Sequence, residues 1–139
     1  MLQLEKSHEL VIVDFEYAGY NPRGYDIANH FCEWMYNYHS EQPAAMNKEN
    51  YPTYEEQICF LTAYLETTSK FRASDMNKDV TPESLQKEVS MYVMASHLTW
   101  GLWGLIQANQ SEIDFDFFLY STQRLNAFRE ELAVWRKTD

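Results

Sequence analysis

The pattern of hydrophobic and polar positions changes near residue 25, from short apolar runs to a helical repeat. Met1–Leu4 and Glu9–Phe15 predict two short strands, because the second is a compact β-branched run and Lys6–His8 supplies a turn between them. Tyr17–Gly24 is rich in Gly, Asn and Pro and predicts a loop. From Tyr25 onward, apolar residues recur at intervals of three or four, which predicts a helix.

Four helices are predicted after this hairpin. The first has an apolar face made of Ile27, Phe31, Trp34, Met35 and Tyr38. The second is expected to begin after Thr53, because Thr53 is a good N-cap and Glu56, three residues on, completes a capping box. That helix should continue to about Phe71.

A charged loop is predicted at Arg72–Val80, before the third helix. Thr81 as the cap and Pro82 at the first helical position mark the start of that helix, which should end near Ala108. The last helix is expected from about Phe115 to Trp135. Because a two-stranded hairpin is marginally stable alone, it must pack on these helices or on something outside this chain. The pattern therefore predicts a mainly α protein that opens with a short β-hairpin.

Charge and composition restrict the classes of partner. The 139 residues, about one domain in length, include 21 acidic and 11 basic side chains, for a formal net charge of -10. Such an acidic surface argues against binding a nucleic-acid backbone and would attract a small cation. Cys32 and Cys59 lack the CxxC spacing of a metal site and predict buried free thiols. No signal peptide or membrane-spanning stretch is visible in these residues, so a cytoplasmic protein is expected.

Candidate chemistry begins at Asp14, which follows the apolar run of the second predicted strand. A strand fixes the backbone, so a carboxylate at its end projects in a defined direction into the space beyond. Glu16 follows two residues later, and magnesium prefers such hard oxygen ligands, completed by substrate phosphates. The sequence predicts a magnesium site here, although the triplet Asp-Phe-Glu alone is too short to be specific.

The longer run around Asp14 is far more specific. The pattern DFEYxxxNxRxxDxxxxxxE extends from Asp14 to Glu33. It closely resembles the signature of the choline/ethanolamine kinase family. The resemblance continues through NHFCEWMY at Asn29–Tyr36, ASHLTWGLWGLIQA at Ala95–Ala108 and EIDFDFFLYSTQRLNAF at Glu112–Phe128. It covers nearly the whole chain and implies the C-terminal helical lobe of a protein-kinase-like fold, the choline kinase fold.

The resemblance implies roles for individual residues of this run. Asp14 matches the family's magnesium ligand, which neutralises phosphate charge during phosphoryl transfer, and Glu16 assists the metal or orients the loop. Asn21, Arg23 and Asp26 match residues that brace this segment, with Arg23 and Asp26 expected to form a buried pair. An ordinary surface salt bridge is the alternative for that pair.

The resemblance also implies a pocket for a quaternary ammonium group. Such a cation cannot donate an N–H hydrogen bond, so aromatic faces and a carboxylate suit it best. The residues that match this pocket are Tyr17, Glu33, Tyr38, Trp100, Trp103, Phe115 and Tyr120. Without the resemblance, aromatic residues at helical spacing indicate ordinary core packing. Glu33 stands between apolar neighbours and needs a partner, which a ligand cation would supply.

Parts of a kinase of this type do not occur in these residues. There is no His-x-Asp catalytic loop and no Gly-rich phosphate loop. We therefore expect residues 1–139 to be a single C-terminal lobe fragment, with the nucleotide-binding lobe absent and the catalytic base before Met1. The complete enzyme would use Mg2+ and ATP to convert choline to phosphocholine, the first step of phosphatidylcholine synthesis. The chain alone is expected to be inactive.

Three other interpretations remain open from the sequence. In the first, the pocket favours a primary ammonium and the substrate is ethanolamine instead of choline. In the second, the chain is a non-catalytic binding or regulatory fragment. In the third, every motif match is coincidence and the chain is a plain helical structural domain. The resemblance also implies a homodimer of the full-length enzyme, through contacts that lie largely outside these residues.

Overall fold

The structure is a computed structural model that describes residues 2–71 and 79–138. It opens with a two-stranded antiparallel hairpin, β1 (Leu2–Gln3) and β2 (Leu10–Val11), in which Leu2 pairs with Val11. The helices that follow are α1 (Arg23–Glu33), α2 (Tyr54–Phe71), α3 (Pro82–Gln110) and α4 (Phe117–Thr138), with a 3-10 turn at Lys48–Asn50. The predicted order, a hairpin followed by four helices, is confirmed. The loop predicted at 72–80 falls largely outside the described residues.

The hairpin is much shorter than predicted. The second strand was expected over Glu9–Phe15, but only Leu10 and Val11 pair with β1. A strand extends only where a neighbouring strand offers backbone donors and acceptors, and β1 offers two residues. Every residue from 4 to 22 is exposed. As a result, Asp14 lies three residues beyond the strand, and the expectation that it ends a strand is wrong.

The first helix ends earlier than its apolar repeat predicts. The repeat continues to Tyr38, whereas α1 ends at Glu33. The next three N–H groups bond to the carbonyl three residues back, at 3.1–3.2 Å, which tightens the chain into a turn. Ile27, Phe31 and Met35 are buried as the pattern predicts, but Trp34 and Tyr38 are exposed. The apolar periodicity thus identified buried positions on both the helix and the turn.

The predicted capping signals operate as expected at α2. The Thr53 hydroxyl accepts from the Glu56 N–H at 3.3 Å, and the Glu56 carboxylate accepts from the Thr53 N–H at 2.8 Å. At α3 the Thr81 side chain accepts from the Ser84 N–H, and Pro82 occupies the first helical position. These caps satisfy backbone donors that a helix start leaves open, so both helices begin where the sequence predicts.

Helix α3 lies at the centre and packs against α1, α2 and α4. Its buried residues include Leu85, Val89 and Val93, while α1 contributes Ile27, Phe31 and Cys32 to the same core. Two glycines let α4 approach closely, because a Cβ at Gly101 would lie 2.8 Å from the Leu125 Cγ and one at Gly104 would overlap the Ser121 Oγ. Within residues 2–71 and 79–138, no helix combines the length and apolar character needed to cross a membrane.

The cysteines and the core histidine refine the sequence expectations. Both cysteines are free, but only Cys32 is buried; Cys59 is exposed, so the prediction of two buried thiols is wrong for one of them. Cys59 faces away from the bundle because only one side of α2 packs on α3. His97 of α3 is buried as well, at 3% exposure.

Candidate functional site

A cavity of about 480 Å³ opens between α1, α3 and the start of α4. We call it the aromatic recess. It is lined by Asn29, Glu33, Tyr38, Trp100, Trp103, Ile113, Phe115, Phe117 and Tyr120. Six of the seven residues that the sequence assigns to an ammonium pocket are on this wall. The recess joins segments of the chain that are far apart in sequence, and the helical bundle positions each of them.

The rings of the recess also pack on one another. Trp100 and Trp103, one turn apart on α3, meet edge to face with centroids 5.3 Å apart. Trp103 contacts Phe117 at 5.7 Å, and Phe117 contacts Phe115 at 4.8 Å. Such ring pairs contribute to stability beyond their buried area. The aromatic stripe is therefore both core packing and cavity wall, so the two sequence interpretations are compatible.

Tyr17, the seventh predicted residue, lies beside the recess and outside its lining. Its ring meets Trp100 at 5.7 Å and Trp103 at 6.2 Å, both edge to face. The Trp103 Nε1 donates a hydrogen bond to the Tyr17 Oη at 2.9 Å. Tyr17 therefore ties the exposed loop that contains Asp14 to the central helix.

Glu33 has partners from its own chain on both carboxylate oxygens. The Tyr38 Oη donates to the Glu33 Oε2 at 2.7 Å, and Arg124 Nη2 donates to the Glu33 Oε1 as an ion pair. Desolvation of the phenol hydroxyl in the recess, and then the neighbouring Glu33 carboxylate, raise the pKa of Tyr38 well above its usual range, so Tyr38 stays a donor although much of its ring is exposed. The sequence expectation that Glu33 needs a cationic partner is met by Arg124 before any ligand binds.

Arg124 is the functional candidate that the sequence reasoning missed. Its side chain is fully buried, at 0% exposure. Nε donates to the Tyr120 Oη at 3.2 Å, and Nη1 donates to the His97 Nδ1 at 3.2 Å. The guanidinium carbon lies 5.0 Å from the Tyr36 ring centre and 5.3 Å from that of Tyr120. Its position four residues after Tyr120, on the face of α4 that also carries Ala127, was the available sequence signal.

His97 reinforces this arrangement. Burial, and then the positive charge of Arg124, lower the pKa of His97 to about 3. The imidazole is therefore neutral, and since an arginine only donates, Nδ1 is the acceptor and Nε2 carries the proton. Nε2 lies 3.9 Å from the Cys32 Sγ, where burial raises the pKa of the thiol. Behind the recess, Arg124 thus donates to Tyr120, His97 and Glu33, and its guanidinium faces the rings of Tyr36 and Tyr120.

The predicted metal ligands are not enclosed by the fold. Asp14 and Glu16 are both exposed. Asp14 has a φ of 68°, in the left-handed region, which Asp adopts more readily than most residues. Across the described ranges, no three His, Cys, Asp or Glu side chains come close enough together to hold a metal ion. The two carboxylates are suitable oxygen ligands for magnesium, but their role as a metal site stays a prediction.

The bracing residues form a different pair from the one expected. Arg23 donates to Glu88 of α3 through Nε at 3.2 Å and through Nη2 at 2.8 Å. Asp26 is exposed, so the expected buried Arg23–Asp26 pair is wrong. Asp26 lies on the outer side of α1, whereas Glu88 is on the helix that packs against it. Asn21 donates to the Gly19 carbonyl at 3.4 Å within the loop.

Comparison with known proteins identifies the family. The sequence profile of the choline/ethanolamine kinase family matches residues 1–129. The chain belongs to the choline/ethanolamine kinase family. It is 42% identical over 124 residues to "Probable choline kinase 2" of Arabidopsis thaliana, covering 89% of this chain and 34% of that relative. It is 42% identical over 130 residues to "Choline/ethanolamine kinase" of Homo sapiens, covering 91% of this chain and 33% of the human protein. The family resemblance seen in the sequence is confirmed.

Family members that match this chain carry names with either substrate. "Probable ethanolamine kinase" of Nematostella vectensis is 41% identical over 124 residues, covering 84% of this chain and 32% of that relative. The chain thus spans about a third of the length of the curated relatives it matches.

Sequence reasoning also missed three lining residues of this family member, Asn29, Ile113 and Phe117. Asn29 lies one helical turn before Glu33, so their shared face was a usable signal. Its Oδ1 accepts from the buried Ser96 Oγ at 2.9 Å, which fixes the amide in the wall. Ile113 and Phe117 flank Phe115 where the chain enters α4, and only the tertiary structure shows that this entry closes the recess.

Proposed function

We propose that the aromatic recess binds the trimethylammonium group of choline, and that this chain is the substrate-binding part of a choline kinase. The complete enzyme would transfer a phosphoryl group from ATP to the choline hydroxyl, giving ADP and phosphocholine. The observation that supports this most strongly is the convergence of two Trp, two Phe, two Tyr and one carboxylate on a single cavity.

The physical chemistry of a quaternary ammonium matches this wall. The face of an aromatic ring attracts a cation, most strongly at Trp, and the attraction increases when the cation is desolvated. A cavity of about 480 Å³ lies within the usual range for small-molecule sites and easily accommodates a ligand of seven heavy atoms such as choline. The net charge of -10 favours the approach of any cation.

Ethanolamine is the second candidate substrate, since relatives of both names match the chain. A primary ammonium needs hydrogen-bond acceptors, and the recess offers chiefly rings. Two oxygens of lining residues, from Glu33 and Tyr120, already accept bonds from Arg124. This balance favours choline.

A magnesium ion would be held by Asp14, with Glu16 assisting, and would neutralise phosphate charge during the transfer. The sequence contains neither a His-x-Asp loop nor a Gly-rich phosphate loop. We therefore propose that the 139 residues bind choline without phosphorylating it, and that the base and the ATP site belong to the part of the family's length that this chain does not match.

Isothermal titration of the 139-residue chain with choline tests the proposal. We expect saturable heat at millimolar choline, and affinity about tenfold weaker in Trp103→Leu, as the loss of one cation–π contact predicts. Trp34→Leu is the matched control, because Trp34 is exposed and does not line the recess. Absence of heat from folded wild-type chain, or equal binding by wild type and Trp103→Leu, would contradict choline binding in the recess.

A further inference from the structure

We propose that Arg124 is the built-in counter-cation of Glu33, and that the recess therefore selects a quaternary ammonium through its aromatic faces and not through a free carboxylate. This inference rests on the proposed function, because it concerns how the same recess recognises its ligand. It gives a specificity-determining role to a residue that does not itself line the cavity.

The first step is the charge at Glu33. Among the described residues, Glu33 is the only charged side chain that lines the recess. One of its oxygens is paired with the Arg124 guanidinium and the other accepts from Tyr38. A carboxylate bonded directly to a guanidinium has little net charge left to offer, so Glu33 and Arg124 together are close to neutral towards a bound cation.

The second step is that Arg124 keeps its charge although it is buried. Burial alone lowers the pKa of a guanidinium, but Tyr120, Tyr36 and Glu33 around Arg124 raise its pKa above the ordinary value. Two rings face the guanidinium and three acceptors bond it. The counter-charge is therefore permanent at any pH at which the protein is folded.

The third step is the supply of acceptors on the wall. The oxygens of Glu33 and Tyr120 accept from Arg124, and the Asn29 Oδ1 accepts from Ser96. A primary ammonium would have to share these oxygens with the donors already bonded to them in order to satisfy its own three N–H groups, and it is more strongly hydrated than a methylated one. A quaternary ammonium needs no acceptor, so only the rings decide its affinity.

The ion pair between Glu33 and Arg124 predicts that removing one charge weakens cation binding more than removing both. Glu33→Gln alone leaves the Arg124 charge unbalanced behind the recess, where it repels a bound cation. Glu33→Gln combined with Arg124→Met removes both charges and leaves the rings in place. Replacing both members of a buried pair with neutral side chains is commonly tolerated by the fold, whereas removing one is not.

The experiment measures the quenching of tryptophan fluorescence in the 139-residue chain by tetramethylammonium and by methylammonium. Folding of each variant is verified by circular dichroism and thermal melting. Arg129→Met and Glu131→Gln are matched controls, because both residues are exposed on α4 and neither lines the recess.

In wild type we expect tetramethylammonium to bind at least about tenfold more tightly than methylammonium. We expect Glu33→Gln to weaken tetramethylammonium at least about tenfold, and the double variant to recover to within about threefold of wild type. A folded double variant that binds as weakly as Glu33→Gln would overturn the inference. If the variants do not fold, the wild-type ratio decides, and equal or stronger binding of methylammonium contradicts it.

The inference and the proposed function fail in different ways. No binding of tetramethylammonium or choline by folded wild-type chain contradicts the proposed function, and the inference falls with it. Binding by wild type together with an unrecovered double variant contradicts only the role of Arg124 and leaves the recess as the choline site.

Discussion

The exposed segment from Leu4 to Pro22 and the aromatic recess differ in how much the rest of the chain packs against them. Every residue of the segment is exposed, including Ile12, Phe15 and Tyr20, and its one strand, β2, pairs with β1 over only two residues. The recess lies between three helices, and the Glu33 carboxylate on its wall is bonded to a guanidinium that is fully buried. Both regions carry residues that the family signature marks, yet only one is built by the contacts of this chain.

This difference separates two groups of candidate functional residues. The aromatic recess is supported by ring contacts and by an ion pair that stabilise the bundle itself, so its geometry does not depend on a ligand. Asp14 and Glu16 have no such support from the described residues, so the metal site proposed for them would depend on contacts that these residues do not supply. Tyr17 connects the segment to α3 through its hydrogen bond with Trp103. The following substitutions test the contrast, from the largest expected effect to the smallest.

Arg124→Met should have the largest effect on stability. It leaves Glu33 and the acceptors of His97 and Tyr120 without their shared donor, at a cost of about 4 kcal/mol in the free energy of unfolding. Arg129→Met removes the same charge from an exposed site and should change it by less than about 0.5 kcal/mol. Urea unfolding at neutral pH compares them, and equal midpoints would show that the buried network is not stabilising.

Gly104→Ala should destabilise by about 2 kcal/mol, because overpacking a tight helix contact forces neighbours to shift. The added Cβ would overlap the Ser121 Oγ and lie 3.0 Å from the Tyr120 Cδ1. Gly19→Ala is the matched substitution in the exposed segment, where a Cβ meets nothing within 4 Å. Thermal melts should separate the two variants, and a melting temperature unchanged by Gly104→Ala would argue against the close approach of α3 and α4.

His97 makes stability depend on pH. Its pKa is lowered from 6.5 to about 3 in the folded chain, so the unfolded chain binds more protons between these values. Stability therefore falls as the pH drops below about 6.5, by about 1 kcal/mol per pH unit from this group. In His97→Asn the amide oxygen can still accept from Arg124. Urea unfolding at pH 6 and at pH 5 should then show a free energy of unfolding that depends less steeply on pH, by that amount. An unchanged pH dependence in folded His97→Asn would contradict a neutral, buried imidazole at this site.

Ile12→Asp should have the smallest effect on folding. Ile12 is 66% exposed, so the free energy of unfolding should change by less than about 0.5 kcal/mol. The added charge should nevertheless reduce association of the exposed apolar segment and raise the concentration at which the chain stays monodisperse by light scattering. Leu61→Ala, at a fully buried site of α2, should instead cost about 3 kcal/mol.

The sequence predicted the helix starts well because capping residues and a proline, all within a few positions of each start, determine them. Thr53 and Glu56 bond to each other's backbone, and Pro82 follows its cap, so both helix starts could be read from neighbouring residues. The extent of the second strand could not be read from neighbouring residues, because it depends on how many residues the partner strand offers. The end of α1 was missed because buried residues continue at Met35, in a turn that mimics the helical repeat.

At the site, the family motif identified residues that line the recess. Spacing and residue type did not identify the buried side chains behind the recess that hold those residues in place. Six of the seven predicted pocket residues line the recess, whereas Arg124 and His97 escaped notice as partners. Their contact joins positions 27 residues apart on two helices, and the ion pair to Glu33 spans 91 residues. Such pairings depend on how the helices pack, which periodicity does not reveal.

The most direct test of choline recognition is to detect which protons of the chain lie beside the bound methyl groups. In a saturated complex, nuclear Overhauser effects from the choline N-methyl protons should reach the rings of Trp100, Trp103 and Phe115. They should be absent for the exposed rings of Phe15 and Tyr20, and should weaken in Trp103→Leu. Contacts confined to Phe15 and Tyr20, or no contacts from folded chain at saturating choline, would contradict choline binding in the aromatic recess.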